Sequence, residues 1–76
     1  MRGDLVVVRC WRDEAALMRV WAMDAQRVQV IAPEEFERLE AGESELSPIG
    51  FRRSDVFAYD GPLPEGHVDW GTMTKY

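Results

Sequence analysis

Apolar residues fall in short bursts along this chain, and over most of its length the bursts carry the spacing of strands rather than helices. Leu5-Val6-Val7-Val8-Arg9-Cys10-Trp11 opens with three consecutive valines. β-Branched side chains suit a pleated strand better than a helix, so a first strand is expected over residues 5–11, after a Gly3-Asp4 turn signal. Arg12-Asp13-Glu14 forms a polar break. Residues 16–23, Ala-Leu-Met-Arg-Val-Trp-Ala-Met, include good helix formers, and Asp13 with Glu14 could start a helix there. They lie between two clearer strands and contain Arg19-Val20-Trp21, so the reading adopted is a second strand. Asp24-Ala25-Gln26 is a turn. Arg27 to Ile31 then alternates polar and apolar through Val28, Gln29 and Val30, which marks a third strand. The short spacings imply an antiparallel meander.

The period changes once. Over residues 33–41, Phe36 and Leu39 share one helical face, and Glu34 can reach Arg38 one turn on. Pro33 suits the first helical position, Glu34 and Glu35 complement the positive end of the helix dipole, and Gly42 is placed for a left-handed cap. Ala32 offers no capping oxygen. With only two apolar anchors, this helix is expected on the surface between strands. After a loop, Ile49-Gly50-Phe51-Arg52 reads as a fourth strand. Ser54-Asp55-Val56-Phe57 reads as one helical turn and Ala58-Tyr59 as a last short strand. The Gly- and Pro-dense stretch from Asp60 to Gly66 ends the expected compact domain, residues 1–60, and residues 61–76 are expected as a flexible C-terminal tail to which Trp70 alone offers an anchor. The predicted core draws on Leu5, Val7, Val20, Val28, Val30, Phe36, Leu39, Val56 and Phe57. The turn lengths leave open which parity of the first two strands faces inward.

Composition narrows the function classes. The chain has 76 residues, 14 acidic and 9 basic, for a net charge of −5, with one Cys and one His. That length fits one domain. A single Cys cannot form an intramolecular disulfide, and Cys10 with His67 cannot make a structural zinc site, so no metal or cofactor is expected. No apolar run exceeds four residues, against about 20 for a membrane-spanning helix. No charged-then-apolar segment opens the chain as a secretion signal would, and a cytoplasmic location is expected. The acidity is local: six Glu and one Arg lie within residues 33–46, and the remaining residues balance at eight acidic against eight basic.

Candidate chemistry is sparse. His67 beside Asp69 could orient an imidazole, but in the expected tail it has no fixed partner. Cys10, in a Val-rich strand, reads as buried and inert rather than as a thiolate in an electropositive site. The helix carboxylates read as a solvated face. No enzymatic role is expected. Arg9, Arg19 and Arg27 on successive strands, with Arg52 and Arg53, could form a basic stripe for nucleic acid, with Trp11 or Trp21 stacking bases. Cross-strand pairing of those arginines with carboxylates is the other account. Eight aromatic residues are many for so small a core, and Trp, Tyr and Arg are enriched where proteins bind one another. Trp11, Trp21, Arg52, Arg53 and Tyr59 are therefore the candidate partner-binding residues.

The series Gly3-Asp4-Leu5-Val6-Val7-Val8, two more strands, Gly50-Phe51 and then Ser54-Asp55-Val56-Phe57-Ala58-Tyr59 resembles small SH3-like β-barrels. Such barrels open with a Gly-Asp turn into an apolar strand and close with a one-turn helix before the last strand. The resemblance spans residues 3–60 and implies a fold; it carries over no site residue. The acidic loops and paired tyrosines of peptide-binding members have no match here, nor do the Lys/Arg-rich loops of ribosomal and transcription-factor barrels. The expectation is a mainly-β protein: a five-stranded antiparallel SH3-like barrel or bent sheet with one surface helix. Its expected role is a non-enzymatic interaction module for a protein or peptide. The alternative is a nucleic-acid-associated barrel using the strand arginines.

Overall fold

The computed structural model describes residues 1–61 and 68–76. Five antiparallel strands form one sheet: β1 (Leu5–Arg9), β2 (Ala15–Met23), β3 (Arg27–Ile31), β4 (Ile49–Arg52) and β5 (Val56–Ala58). Their order is β4-β3-β2-β1-β5, so the meander expected from the short turns is present and the chain returns to lay β5 beside β1. The two outer strands do not pair with each other, and the sheet is open rather than a closed barrel. A 3-10 turn, Pro33–Glu35, runs into the helix α1 (Phe36–Glu40) between β3 and β4.

The valines of β1 explain both faces of the sheet. Val6, Val7 and Val8 are all buried, although adjacent strand residues point opposite ways. Val6 and Val8 join Val20, Val28, Val30 and Val56 in one core, with Cys10, Ala16, Met18, Phe51 and Tyr76 packed around it. Val7 points to the other face beside its cross-strand partner Phe57, which is also buried. Phe57 is covered by Trp70, with ring centroids 5.0 Å apart. The expected core therefore needs correcting. Val6, Val8 and Ile31 are buried, whereas Leu5, Phe36 and Leu39 are only half-buried. A strand covered on both faces reads as a continuous apolar run, and parity alone selects half of it.

Several boundaries also differ from expectation. β1 stops at Arg9, and Trp11 falls in a 3-10 turn (Trp11–Asp13) where Arg12 and Asp13 both have φ of 60°. The single helical turn before the last strand is Arg53–Asp55, so Val56 and Phe57 belong to β5 and Tyr59 lies beyond it. Arg38 pairs not with Glu34 but with Glu43, through Nε–Oε2 and Nη2–Oε1 contacts of 2.7 and 2.5 Å. The C-cap causes this change. Gly42, at φ +91°, lets the Gly42 and Glu43 amides donate to the Leu39 and Arg38 carbonyls, and the turn brings Glu43 back over Arg38.

In the stretch expected as a tail, residues 62–67 lie outside those described. Beyond them, Trp70 and residues 74–76 lie against the sheet. Ala58 donates its amide to the Thr74 carbonyl (2.8 Å) and Tyr76 donates to Val56 (3.2 Å), so residues 74–76 cover the open edge of β5. The Tyr76 hydroxyl donates to Asp4 Oδ2 at 2.7 Å, and the Met1 ammonium donates to both groups.

Candidate functional site

Two places present the residues singled out above. The first is the β1–β2 turn. β1 and β2 pair up to Arg9 and Ala15, and the Cys10 amide closes the loop on the Glu14 carbonyl at 2.7 Å. The tight closure forces Arg12 and Asp13 into the left-handed region and turns Trp11 outward, where it is 83% exposed. Cys10, just before it, is half-buried against the valine core rather than fully buried. Burial, helped by the Glu14 carboxylate, pushes its thiol pKa up, away from thiolate chemistry.

Trp21 is placed quite differently. The register of β2 against β3 slips between Val20 and Ala22, a bulge that leaves Trp21 unopposed and redirects its side chain. Its ring meets Phe36 edge-on at 5.9 Å, and the Arg2 guanidinium lies 4.1 Å from its centroid. Its carbonyl accepts from Arg2 Nε at 3.0 Å. Trp21 therefore fastens α1 to the sheet. Trp11 and Trp21 sit at opposite ends of β2 and do not line one groove. Tyr59 is half-buried just past β5.

The arginines divide into two groups. Arg9 is engaged inside the fold: Asp55 Oδ1 accepts from its Nε and Nη2 at 3.0 and 2.6 Å, and its guanidinium lies 5.8 Å from the Trp70 ring centroid. Arg19 donates to the Gly3 carbonyl at 2.6 Å and lies over Phe36. These two do not extend the basic stripe, because a carboxylate in the turn before β5, rather than one on a neighbouring strand, takes Arg9 and a backbone carbonyl takes Arg19. Arg27, Arg52 and Arg53 do come together. Along with Gln26 and Ser54 they bound a cleft of about 390 Å³. Arg27 stands directly opposite Arg52 in the β3–β4 ladder, on the face turned away from Val28 and Val30. Asp24 caps the adjoining turn, its Oδ1 accepting from the Gln26 and Arg27 amides, both at 2.8 Å. Those two hydrogen bonds, aided by the charges of Arg27 and Arg53, hold the Asp24 carboxyl below its ordinary range.

His67 lies outside the described residues. Among the described residues, no group of three or more Cys, His, Asp or Glu side chains is placed to hold a metal ion, and no helix is long and apolar enough to cross a membrane. No family model, curated protein or solved structure matches the chain. Trp70, the one anchor the sequence offered for this stretch, does dock, on Phe57. What sequence reasoning missed is the opposition of Arg27 and Arg52, which depends on register, and the docking of Tyr76. The alternation of β-formers and aromatics through Thr72, Thr74 and Tyr76 was the available sign of the latter.

Proposed function

We propose that this chain is a non-enzymatic interaction module that captures a protein or peptide through the β1–β2 turn. One observation carries the reading: a tryptophan left 83% exposed on a turn held in a costly backbone conformation. Left-handed geometry costs non-glycine residues roughly 1–2 kcal/mol each, and a large exposed aromatic is the side chain most often found at binding hot spots. The strand order and the one-turn helix before β5 support an SH3-like relationship, and the lone Cys10 supports a cytoplasmic setting. Nucleic-acid association takes second place, since Arg9 and Arg19 are engaged within the fold.

Selection from a random peptide library displayed on phage tests the reading. The expected outcome is an enriched motif whose synthetic peptide binds the wild-type chain and loses about tenfold or more in affinity for Trp11→Ala. Trp11→Ala should leave stability within about 0.5 kcal/mol, because the side chain is exposed. No enriched motif, or equal binding to the variant, would remove the proposal.

A further inference from the structure

We infer that the cleft bounded by Arg27, Arg52 and Arg53 is a binding site for a small phosphorylated anion. The register is the first argument. Arg27 and Arg52 are direct cross-strand partners, an arrangement that places like charges side by side and weakens the ladder. No ion pair from a described residue relieves it. Arg9 and Arg38 have carboxylates within 4.0 Å, whereas Arg27, Arg52 and Arg53 have none among the described residues. An anion seated between the guanidinium groups would convert that repulsion into attraction.

Geometry is the second argument. Arg53 is already positioned: its amide donates to the Gln26 carbonyl at 3.2 Å, and its Nη1 donates to the Asp24 carbonyl at 3.1 Å. Its other guanidinium donors have no partner among the described residues. Ser54, which also lines the cleft, is held from behind by Lys75, whose Nζ donates to the Ser54 carbonyl at 2.6 Å while lying over the Phe57 ring. Asp24, outside the cleft lining, is the nearby opposing charge; its Oδ1 accepts from two backbone amides, and three guanidinium groups outnumber its one carboxylate. A volume of about 390 Å³ suits a small ligand. Guanidinium groups recognise phosphate oxygens through paired, charge-assisted hydrogen bonds. An extended polyanion would also meet the field of the six Glu in residues 33–46, whereas a compact one need not.

The test is a titration of the full, ¹⁵N-labelled chain with inorganic pyrophosphate at low ionic strength, read by NMR. Saturable shifts should centre on the amides and Nε–H groups of Gln26, Arg27, Arg52, Arg53 and Ser54. Arg27→Gln and Arg52→Gln should each weaken binding about tenfold or more while keeping a dispersed spectrum, since each removes a repulsion. Trp11→Ala should bind pyrophosphate as the wild type does, so this site and the peptide reading can fail separately. Absence of saturable shifts, or shifts shared equally with Arg2 and Arg12, overturns the inference. A short oligothymidylate that binds the same cleft more tightly than pyrophosphate also overturns it, in favour of a nucleic-acid backbone.

Discussion

Tyr76 shows how far one side chain can tie together distant parts of this fold. Its hydroxyl donates to Asp4, and its amide donates to Val56, so a residue at one end of the chain closes on the start of β1 and on β5. Burial first, and then the hydrogen bond to Asp4 and the charge of Asp4, push its pKa from the ordinary 10.0 up to about 12, against a smaller opposing effect of Arg53. A folded-state pKa above the unfolded one means that the fold holds the proton. The contribution of Tyr76 to stability is therefore complete below pH 10.0, declines as the unfolded chain ionises, and is gone above about pH 12. Asp4 has the opposite sign. The Tyr76 hydroxyl and then the Met1 ammonium lower its pKa, so its contribution is present above its ordinary 3.8 and fades as the pH falls through the depressed value. Tyr76→Phe should flatten both limbs: less stability lost between pH 10 and 12, and a weaker acid dependence, measured as urea midpoints across pH. A variant with the wild-type profile on both sides would remove this account. The Asp4 partner was not legible in the sequence, because nothing in a Lys-Tyr pair specifies a group more than seventy residues away.

At the scale of elements, the local signals served well where local chemistry decides the structure. The turn at Asp24 works because an aspartate there can accept two backbone amides, and the residue type announces it. The helix between β3 and β4 starts at Pro33 as its position required and ends at Gly42 for the reason anticipated. Gly42→Ala should therefore cost about 1 kcal/mol in chemical denaturation, because a Cβ at φ +91° is strained although the surrounding space is empty. An unchanged midpoint would mean that the cap does not hold the helix. Strand positions were less readable where partners decide the outcome. Val56 and Phe57 read as helical because Ser54 and Asp55 can cap a turn, yet pairing with Val8 and Val7 takes both into β5. The same dependence hid the cleft. Arg27, Arg52 and Arg53 were each visible as basic residues, but only the β3–β4 register separates them from Arg9 and Arg19.

Over the whole molecule, the question is how a short chain with no disulfide stabilises an open sheet. An open sheet with one buried face leaves the apolar residues of its other face and both its edges to water. Here the chain covers the second face itself. α1 is fixed there through Phe36 and Trp21, and Trp70 covers Phe57, which is buried beside Val7. Residues 74–76 then take the free edge of β5 while Tyr76 reaches the valine core on the first face. The radius of gyration, 12.2 Å, stands close to the roughly 11.4 Å of a compact chain of this length. If the C-terminal segment is part of the core in this way, it should unfold with the sheet. A chain carrying Trp11→Phe and Trp21→Phe reports from Trp70 alone, and its fluorescence transition in urea should coincide with the loss of β-sheet circular dichroism. Trp70→Ala should lower stability by about 1–3 kcal/mol, less than for a fully buried tryptophan because the ring is only half-buried. A Trp70 signal that moves at lower urea than the sheet, together with an unchanged midpoint for Trp70→Ala, would show that the sheet stands without its C-terminal cover. In that case Phe57 and the edge of β5 would be open to a partner, and the surfaces available for binding would have to be redrawn around them.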